Sequence, residues 1–518
     1  MAKRRRQEAL PIAKKSWRDE INNEDSDGSD AELTRYCGAE ESSQFAEANN
    51  DTSQLLHHVE LATEDEGDED DVDEPTADAA LARWWRSECR SNEATRGTTA
   101  AATKNLAFLE RSEAGRCFLA GEASGLRDKV SKGDVDASIH ASLASFLWRL
   151  RDFYGARQQY NRALTRSGNA PGQRRHRGRW ANAVEMLNRQ IAAHEVQRAA
   201  TIKMSGMASP AKNRCVERRA MSSLSYEEFI ECYARSRVPV IITGGCASGM
   251  VGGNLKKWSS QELEKRLGSR LVPLKEPSLT SMQWASLEDA GTVPGDEFIR
   301  LAREGKTSRY LFDYSLPANR PDLAEELSIP MYFANDLLQG TPEGSLYREG
   351  WPSLFVAPQG SLSELHVDSF GSHFMMALLE GTKRWRFYSP EDIPYLSPSY
   401  SRSPDPSFEV DLSQEWNKDI HPLVSLASPM DCVLEAGEVL FVPAGCPHRV
   451  EGLTPTVALS MNYVDPTNIE LAKKEIRVAA NTDPKAARLL QALHSGVPSA
   501  APPAGGAEFV PFTAFKRG

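Results

Sequence analysis

The chain has 518 residues, 40% of them hydrophobic and 26% charged, with a formal net charge of −11. That length exceeds one ordinary domain and implies two or three, and no apolar run approaches the ~20 residues of a membrane-spanning helix. The eight cysteines (Cys37, Cys89, Cys117, Cys215, Cys232, Cys246, Cys432 and Cys446) include no Cys-x-x-Cys pair, which excludes the common zinc-finger spacings and reads as free thiols in a reducing compartment.

The N-terminus lacks the pattern of a secretory signal, so the chain reads as soluble and intracellular. Its two basic clusters, Lys3–Arg6 and Lys14–Lys15, fit a nuclear import signal and equally a solvated basic tip. Residues 21–80 then hold 20 Asp and Glu against the single Arg35, which is too acidic for a mitochondrial transit peptide. With few aromatics and little periodicity, residues 1–80 cannot bury enough apolar surface to offset their ordering entropy. They are predicted to be a disordered acidic tail. The local charge of −19 leaves the rest of the chain at +8.

Residues 81–221 are predicted to be mainly helical, since Ile139, Leu143, Phe146, Leu147 and Leu150 recur at helical spacings. The stretch WRLRDFYGARQQYNRAL faintly resembles a tetratricopeptide helix, but no second copy follows at a fixed period. The run Arg174, Arg175, Arg177 and Arg179 contains Gly178 and follows Pro171-Gly172. It reads as a solvated interhelical loop, with phosphate contact as the alternative.

From about 222 the pattern changes. Ser225 and Glu228 form a capping box ahead of the amphipathic EEFIECYARSR. Predicted strands follow at VPVIITGG (238–245), RYLFDYS (309–315), SLFVAPQ (353–359), FMMALL (374–379), KRWRFYS (383–389), EVLFVP (438–443) and TVALSMNYV (456–464). Short strands punctuated by Gly and Pro indicate a barrel or sandwich. After Asp465-Pro466 a helix is predicted to run to about 494, and the last stretch, VPSAAPPAGGAEF, is predicted to be loose.

Two histidines and a carboxylate carry the chemistry. Two residues apart on a strand, His366 and Asp368 point to one face. His448, from a distant strand, would complete two imidazoles and one carboxylate on one side of a metal. That facial arrangement leaves coordination positions open, as non-haem Fe(II) oxygenases require.

The ordered blocks YARSRVPVIITGG, RYLFDYS, LHVD…GTKRW, GEVLFVPAGCPH and VALSMNY make residues 222–465 resemble a JmjC domain. This is the cupin-like double-stranded β-helix of 2-oxoglutarate-dependent oxygenases, and the chain is most similar to the small JmjC hydroxylases, including the arginine-demethylase/lysyl-hydroxylase type. The resemblance implies an α+β fold: a double-stranded β-helix (jelly roll) with flanking helices, preceded by the helical region and the acidic tail. It implies that His366, Asp368 and His448 bind Fe(II), and that 2-oxoglutarate and O2 are co-substrates. Lys383, seventeen residues after His366, would pair with the distal carboxylate of 2-oxoglutarate. Ser363, Ser460 and Asn462 occupy co-substrate-binding positions, with Ser460 standing where that type has threonine.

The chemistry of the residues agrees. A buried carboxylate is costly unless a cation and hydrogen bonds meet it. Lys383 supplies the charge, while Ser363 and Ser460 supply O–H donors. Ser460 and Asn462 share one face of their strand, and Leu459 and Met461 take the other. His373 and His421 read as satisfied core or surface histidines. Two positions depart from the family. Cys446 stands where most relatives carry an aromatic residue, and reads as packing filler beside the pocket. Met376 stands where the demethylase/lysyl-hydroxylase type has an asparagine, so that type's substrate is not carried over to this chain.

The expected function is hydroxylation of a protein side chain. Lysine or arginine demethylation is the same reaction on an N-methyl group. The alternatives are a non-catalytic protein-binding module or a cupin with another metal, and Lys383 argues against both. A protein is the expected substrate, with nucleic acid as an alternative suggested by the basic stretch. The expected location is nuclear or cytoplasmic, and the helix after 466 would permit a homodimer.

Overall fold

The computed structural model describes residues 113–133, 135–168, 174–204, 214–277, 285, 287–401, 403–412, 416–496 and 508–515, together with Ala77 and Ala80. The basic clusters and nearly all of the acidic tail lie outside the described residues.

Four helices come first: α1 (Glu113–Ser131), α2 (Ala137–Arg149), α3 (Phe153–Arg166) and α4 (Arg174–Met204). Leu143, Phe146 and Leu147 of α2 are buried against Leu119 of α1, Tyr160 of α3 and Leu187 of α4, with Ile139 and Leu150 at the margin. The stretch with tetratricopeptide character is two helices, not one. Arg151 adopts a φ of +64°, and the Asp152 side chain accepts the Gly155 amide at 2.9 Å to start α3. The Arg174–Arg179 run is also not a loop, because it forms the first turns of α4. There Arg177 donates to the Leu164 and Ser167 carbonyls at 3.0 and 2.9 Å, which satisfies the end of α3. Gly178 lies against the Asn481 carbonyl, where a β-carbon has no room. Its glycine serves close packing rather than a turn.

Two facing sheets form the β-domain. The larger has seven strands: β2 (Glu217–Ala220), β3 (Val240–Thr243), β6 (Leu311–Ser315), β8 (Ser353–Ala357), β10 (His373–Glu380), β15 (Val439–Val442) and β17 (Thr456–Tyr463). The smaller has five: β1 (Arg214–Cys215), β9 (Leu362–His366), β11 (Thr382–Phe387), β14 (Met430–Glu435) and β16 (His448–Gly452), and two hairpin pairs flank them, β4 (Leu271–Pro277) with β5 (Leu287–Pro294) and β12 (Pro398–Ser399) with β13 (Ser407–Phe408). The orders are β2-β3-β15-β10-β17-β8-β6 and β1-β14-β11-β16-β9, antiparallel throughout except for the parallel edge pairs β1–β14 and β2–β3. Strands thus begin at 214, ahead of the predicted capping box, of which one half forms: the Ser225 hydroxyl accepts the Glu228 amide at 3.1 Å, while the Glu228 carboxylate accepts from Arg219 at 2.7 Å.

Alternation along β10 explains its unbroken apolar sequence. Phe374, Met376 and Leu378 face the interior with Trp385, Phe387 and Cys432 of the other sheet. Met375, Ala377 and Leu379 face a second core shared with the surrounding helices. Burial on both faces removes the polar half of the pattern.

The region after β17 holds two helices, α5 (Ile469–Ala479) and α6 (Pro484–Ser495), in place of the single one predicted. Pro484 has no amide hydrogen, and Asp483 accepts the Lys485 amide at 2.7 Å, so a fresh helix starts there. Ala472, Ile476, Ala486, Leu489 and Leu493 of these helices pack into the domain's own core. Of the stretch predicted to be loose, residues 497–507 lie outside the described residues; its last residue, Phe509, begins β18 (Phe509–Pro511), which pairs with β7 (Ser328–Pro330), and Phe512 and Phe515 beyond it are buried. Among the described residues no helix is long and apolar enough to cross a membrane.

The helical region leans on the β-domain through α4. Arg189 reaches Glu475 of α5 at 2.7 Å and the Pro404 carbonyl at 2.8 Å. Gln190 accepts the Tyr400 amide at 3.0 Å.

Candidate active site

His366 and His448 face each other across β9 and β16, with ring centroids 4.2 Å apart. Asp368 lies two residues past the end of β9 in extended backbone (φ −65°, ψ 142°), so its side chain keeps the strand-like direction of His366. The three are buried, and a ligand atom of each lies within 4.8 Å of the others. The tautomers are set locally. His366 Nδ1 lies 2.6 Å from the Glu364 carbonyl and His448 Nδ1 3.0 Å from the Cys446 carbonyl. A carbonyl only accepts, so each Nδ1 carries the proton and each Nε2 keeps its lone pair for a metal. Two neutral imidazole nitrogens and one carboxylate oxygen suit a divalent first-row metal.

Ser363, three residues before His366, would lie on the opposite face of a regular strand. A β-bulge corrects the parity. His448 pairs with His366, but Val450 pairs with Ser363, so β9 carries one extra residue between the two pairs. Val450 belongs to the interior cluster, and Ser363 therefore faces inward as well. On the bulge, Glu364 accepts from Arg449 at 3.1 Å, joining the two histidine-bearing strands.

Lys383 lies on the inward face of β11 with Trp385 and Phe387, and Phe387 pairs with His448. Four residues of strand separate Phe387 from Lys383, or about 13 Å at 3.3 Å per residue. Lys383 is only 6% exposed and has no ion-pair partner among the described residues. Burial alone pushes its ammonium down to about 8. Ser460 on β17 is 1% exposed, and its hydroxyl has no partner among the described residues. The indole N–H of Trp385 is in the same position. A cation and two donors are thus buried with no partner among the described residues, and buried polar groups in that state call for a ligand.

The remaining two candidates are already engaged. Tyr310, missed in the sequence although it sits in the RYLFDYS block, lies 3.1 Å from the Leu362 carbonyl and 3.3 Å from Ser363 Oγ. The carbonyl takes the Tyr310 proton, so Ser363 donates to the phenol oxygen. Asn462 donates to Ser372 Oγ at 2.8 Å, which ties β17 to the segment after Asp368.

Residues 226–468 match the family model described as a cupin-like domain. Curated relatives extend the match. The arginine-specific demethylase JMJ22 of Arabidopsis thaliana is 28% identical over 48% of this chain and 46% of its own length. The 2-oxoglutarate and iron-dependent oxygenase JMJD4 of Gallus gallus is 24% identical over 48% and 60%. The bifunctional arginine demethylase and lysyl-hydroxylase psr-1 of Caenorhabditis elegans is 25% identical over 49% and 63%. Residues 226–468 are thus similar to a cupin-like domain, and the relatives' names are those of iron- and 2-oxoglutarate-dependent oxygenases and demethylases. The chain spans 46–63% of these relatives' length, and the family-model match falls on the β-domain that holds the site.

Two positions singled out in the sequence, Met376 and Cys446, lie between the sheets of the β-domain. They are 3% and 1% exposed in the interior cluster. Cys446 donates its thiol to the Tyr388 carbonyl at 3.0 Å, and burial pushes its pKa up, so it packs rather than reacts. His373 and His421 are satisfied by partners: His373 bonds Thr467 and Ala444, and His421 bonds Ser397.

Proposed function

We propose that the β-domain is a JmjC-type, Fe(II)- and 2-oxoglutarate-dependent dioxygenase that hydroxylates a protein side chain. The observation that carries this reading is Lys383, a buried ammonium with no partner among the described residues, on the same inward face as the strand position opposite His448. A metal site alone needs no such cation. A keto acid whose distal carboxylate lies deeper in the barrel does.

His366, Asp368 and His448 would hold the iron from one side, leaving adjacent positions for the keto-acid end of 2-oxoglutarate and for O2. The bound iron would supply the oxidising chemistry, in which 2-oxoglutarate becomes succinate and CO2 and one oxygen atom enters a substrate C–H bond. Lys383 neutralises the distal carboxylate, and Ser460 donates to it. The apolar walls built by Phe374, Met376, Trp385 and Val450 exclude water from the buried end. The Nδ1 hydrogen bonds to the Glu364 and Cys446 carbonyls hold both imidazoles in the ligating tautomer.

N-methyl hydroxylation, which releases formaldehyde, is the second reading, supported by the demethylase names of two relatives. Mass spectrometry of protein substrates incubated with enzyme, Fe(II) and 2-oxoglutarate separates the two. Hydroxylation adds ~16 Da stably, and demethylation removes ~14 Da with formaldehyde. Absence of both changes, with no succinate formed above a His366→Ala control, contradicts the proposal. The Lys3–Arg6 and Lys14–Lys15 clusters support a nuclear site of action, which imaging of a chain lacking them tests.

A further inference from the structure

His373 is fully buried at the start of β10, five residues after Asp368, and takes no part in the chemistry above. Its Nδ1 accepts the Ala444 amide at 2.9 Å. An accepting Nδ1 leaves the proton on Nε2, which donates to Thr467 Oγ1 at 2.8 Å. Thr467 in turn donates to Asp465 Oδ1 at 2.6 Å. Every bond in this relay has one allowed direction, and it ends on the turn that delivers His448 four residues later. The imidazole stays neutral: burial pushes it down to about 4, although Asp465 nearby acts the other way.

The same C-terminal segment also holds the other loop. Asn468 accepts the Asp465 amide at 2.8 Å and donates to the Gly371 carbonyl at 2.9 Å. Leu471 of α5 covers both turns. A β-carbon at Gly371 would lie 2.8 Å from its Cγ, and one at Gly445 would lie 3.8 Å from its Cδ2. Gly371 and Gly445 both have left-handed φ, at +65° and +77°. The loop after Asp368 and the turn before His448 are thus seated on one surface, made by residues 465–471.

We propose that His373, oriented by Thr467 and Asp465, is a positioning residue that sets the His448 turn against the Asp368 loop and so assembles the metal ligands. This rests on the reading that His366, Asp368 and His448 bind a divalent metal. A buried amide at Ala444 without its acceptor would seek another, and the turn would move with it.

The test is Mn(II) binding to the full chain, followed by electron paramagnetic resonance, with thermal melts recorded in parallel. His373→Leu removes the acceptor and should weaken Mn(II) binding roughly tenfold. His373→Asn places an amide oxygen near the Nδ1 position and should restore most of that loss, which a generic packing role does not predict. Thr467→Val, at a half-buried site, frees the imidazole orientation. It should weaken binding in the same direction even if the leucine variant fails to fold. In the wild type, the ¹⁵N shifts of His373 should show an unprotonated Nδ1 and a protonated Nε2. Wild-type Mn(II) affinity in Thr467→Val and His373→Leu, or a protonated Nδ1, overturns the proposal. Failure of the wild type itself to bind Mn(II) overturns the metal-site reading, and this inference falls with it.

Discussion

Replacing Lys383 with methionine should move two properties in opposite directions. In the apo protein the ammonium is buried without a partner, and its pKa falls from 10.5 to about 8. At neutral pH that shift corresponds to roughly 3 kcal/mol against the charged form, and Lys383→Met relieves it while keeping most of the volume. At about 2 °C per kcal/mol for a protein of this size, the apo melting temperature should rise by about 6 °C. The unfolded chain holds this proton up to 10.5 and the folded chain only to about 8. The apo wild type therefore gains stability as pH rises through that window, and the advantage of the variant fades there. With 2-oxoglutarate the order inverts. Losing the cation opposite a buried carboxylate costs about 2–5 kcal/mol, a 30-fold to several-thousand-fold loss of affinity. Calorimetric titration with Mn(II) present reads the affinity, and scanning calorimetry from pH 6 to 10.5 reads the stability. A variant that is less stable than wild type when empty, yet binds 2-oxoglutarate as tightly, refutes the assignment.

Three further outcomes follow from the same geometry. Ser460→Ala removes a hydroxyl with no partner among the described residues, so apo stability should change little while 2-oxoglutarate affinity falls about 2- to 10-fold in the same titration. Because the co-substrate needs the ammonium form of Lys383, wild-type affinity should weaken by up to about tenfold per pH unit above 8, and a flat profile would contradict the pairing. Cys446, buried and raised in pKa, should resist iodoacetamide in the native protein while the exposed Cys117, Cys215 and Cys232 react; modification of Cys446 at a similar rate would show that the interior is open.

The parts legible in the sequence were those whose signal is local. FMMALL and TVALSMNYV are strands buried on both faces, so apolar run length marks them. The N-cap at Ser225 declares itself by spacing, although Glu228 pairs with Arg219 instead of closing the box. LSELH carries no such mark apart from the His-x-Asp spacing, which suggests a strand through 366–368; β9 ends at His366, and its start is visible only through pairing with β16. The bulge that turns Ser363 inward is a property of two strands in register, which no single segment encodes. The arginines after Arg174 suggested solvent, but Arg177 spends its donors on the end of α3 and Gly178 makes room for Asn481. Pro484 was a visible break whose effect was underestimated. Among the site residues, His366, Asp368 and His448 lie within 4.8 Å of one another and Lys383 is buried further along β11, while Ser363 and Asn462 have partners of their own in Tyr310 and Ser372. Neither partner is near its target in sequence.

The central claim is that one buried site holds a divalent iron and 2-oxoglutarate together. It is tested most directly by anaerobic addition of Fe(II) and then 2-oxoglutarate, with the visible spectrum recorded. The account predicts a charge-transfer band of the iron-chelated keto acid in the wild type, absent in His366→Ala, and in Lys383→Met present only at far higher 2-oxoglutarate. No band in the wild type with both components saturating, or an undiminished band in His366→Ala, would contradict it.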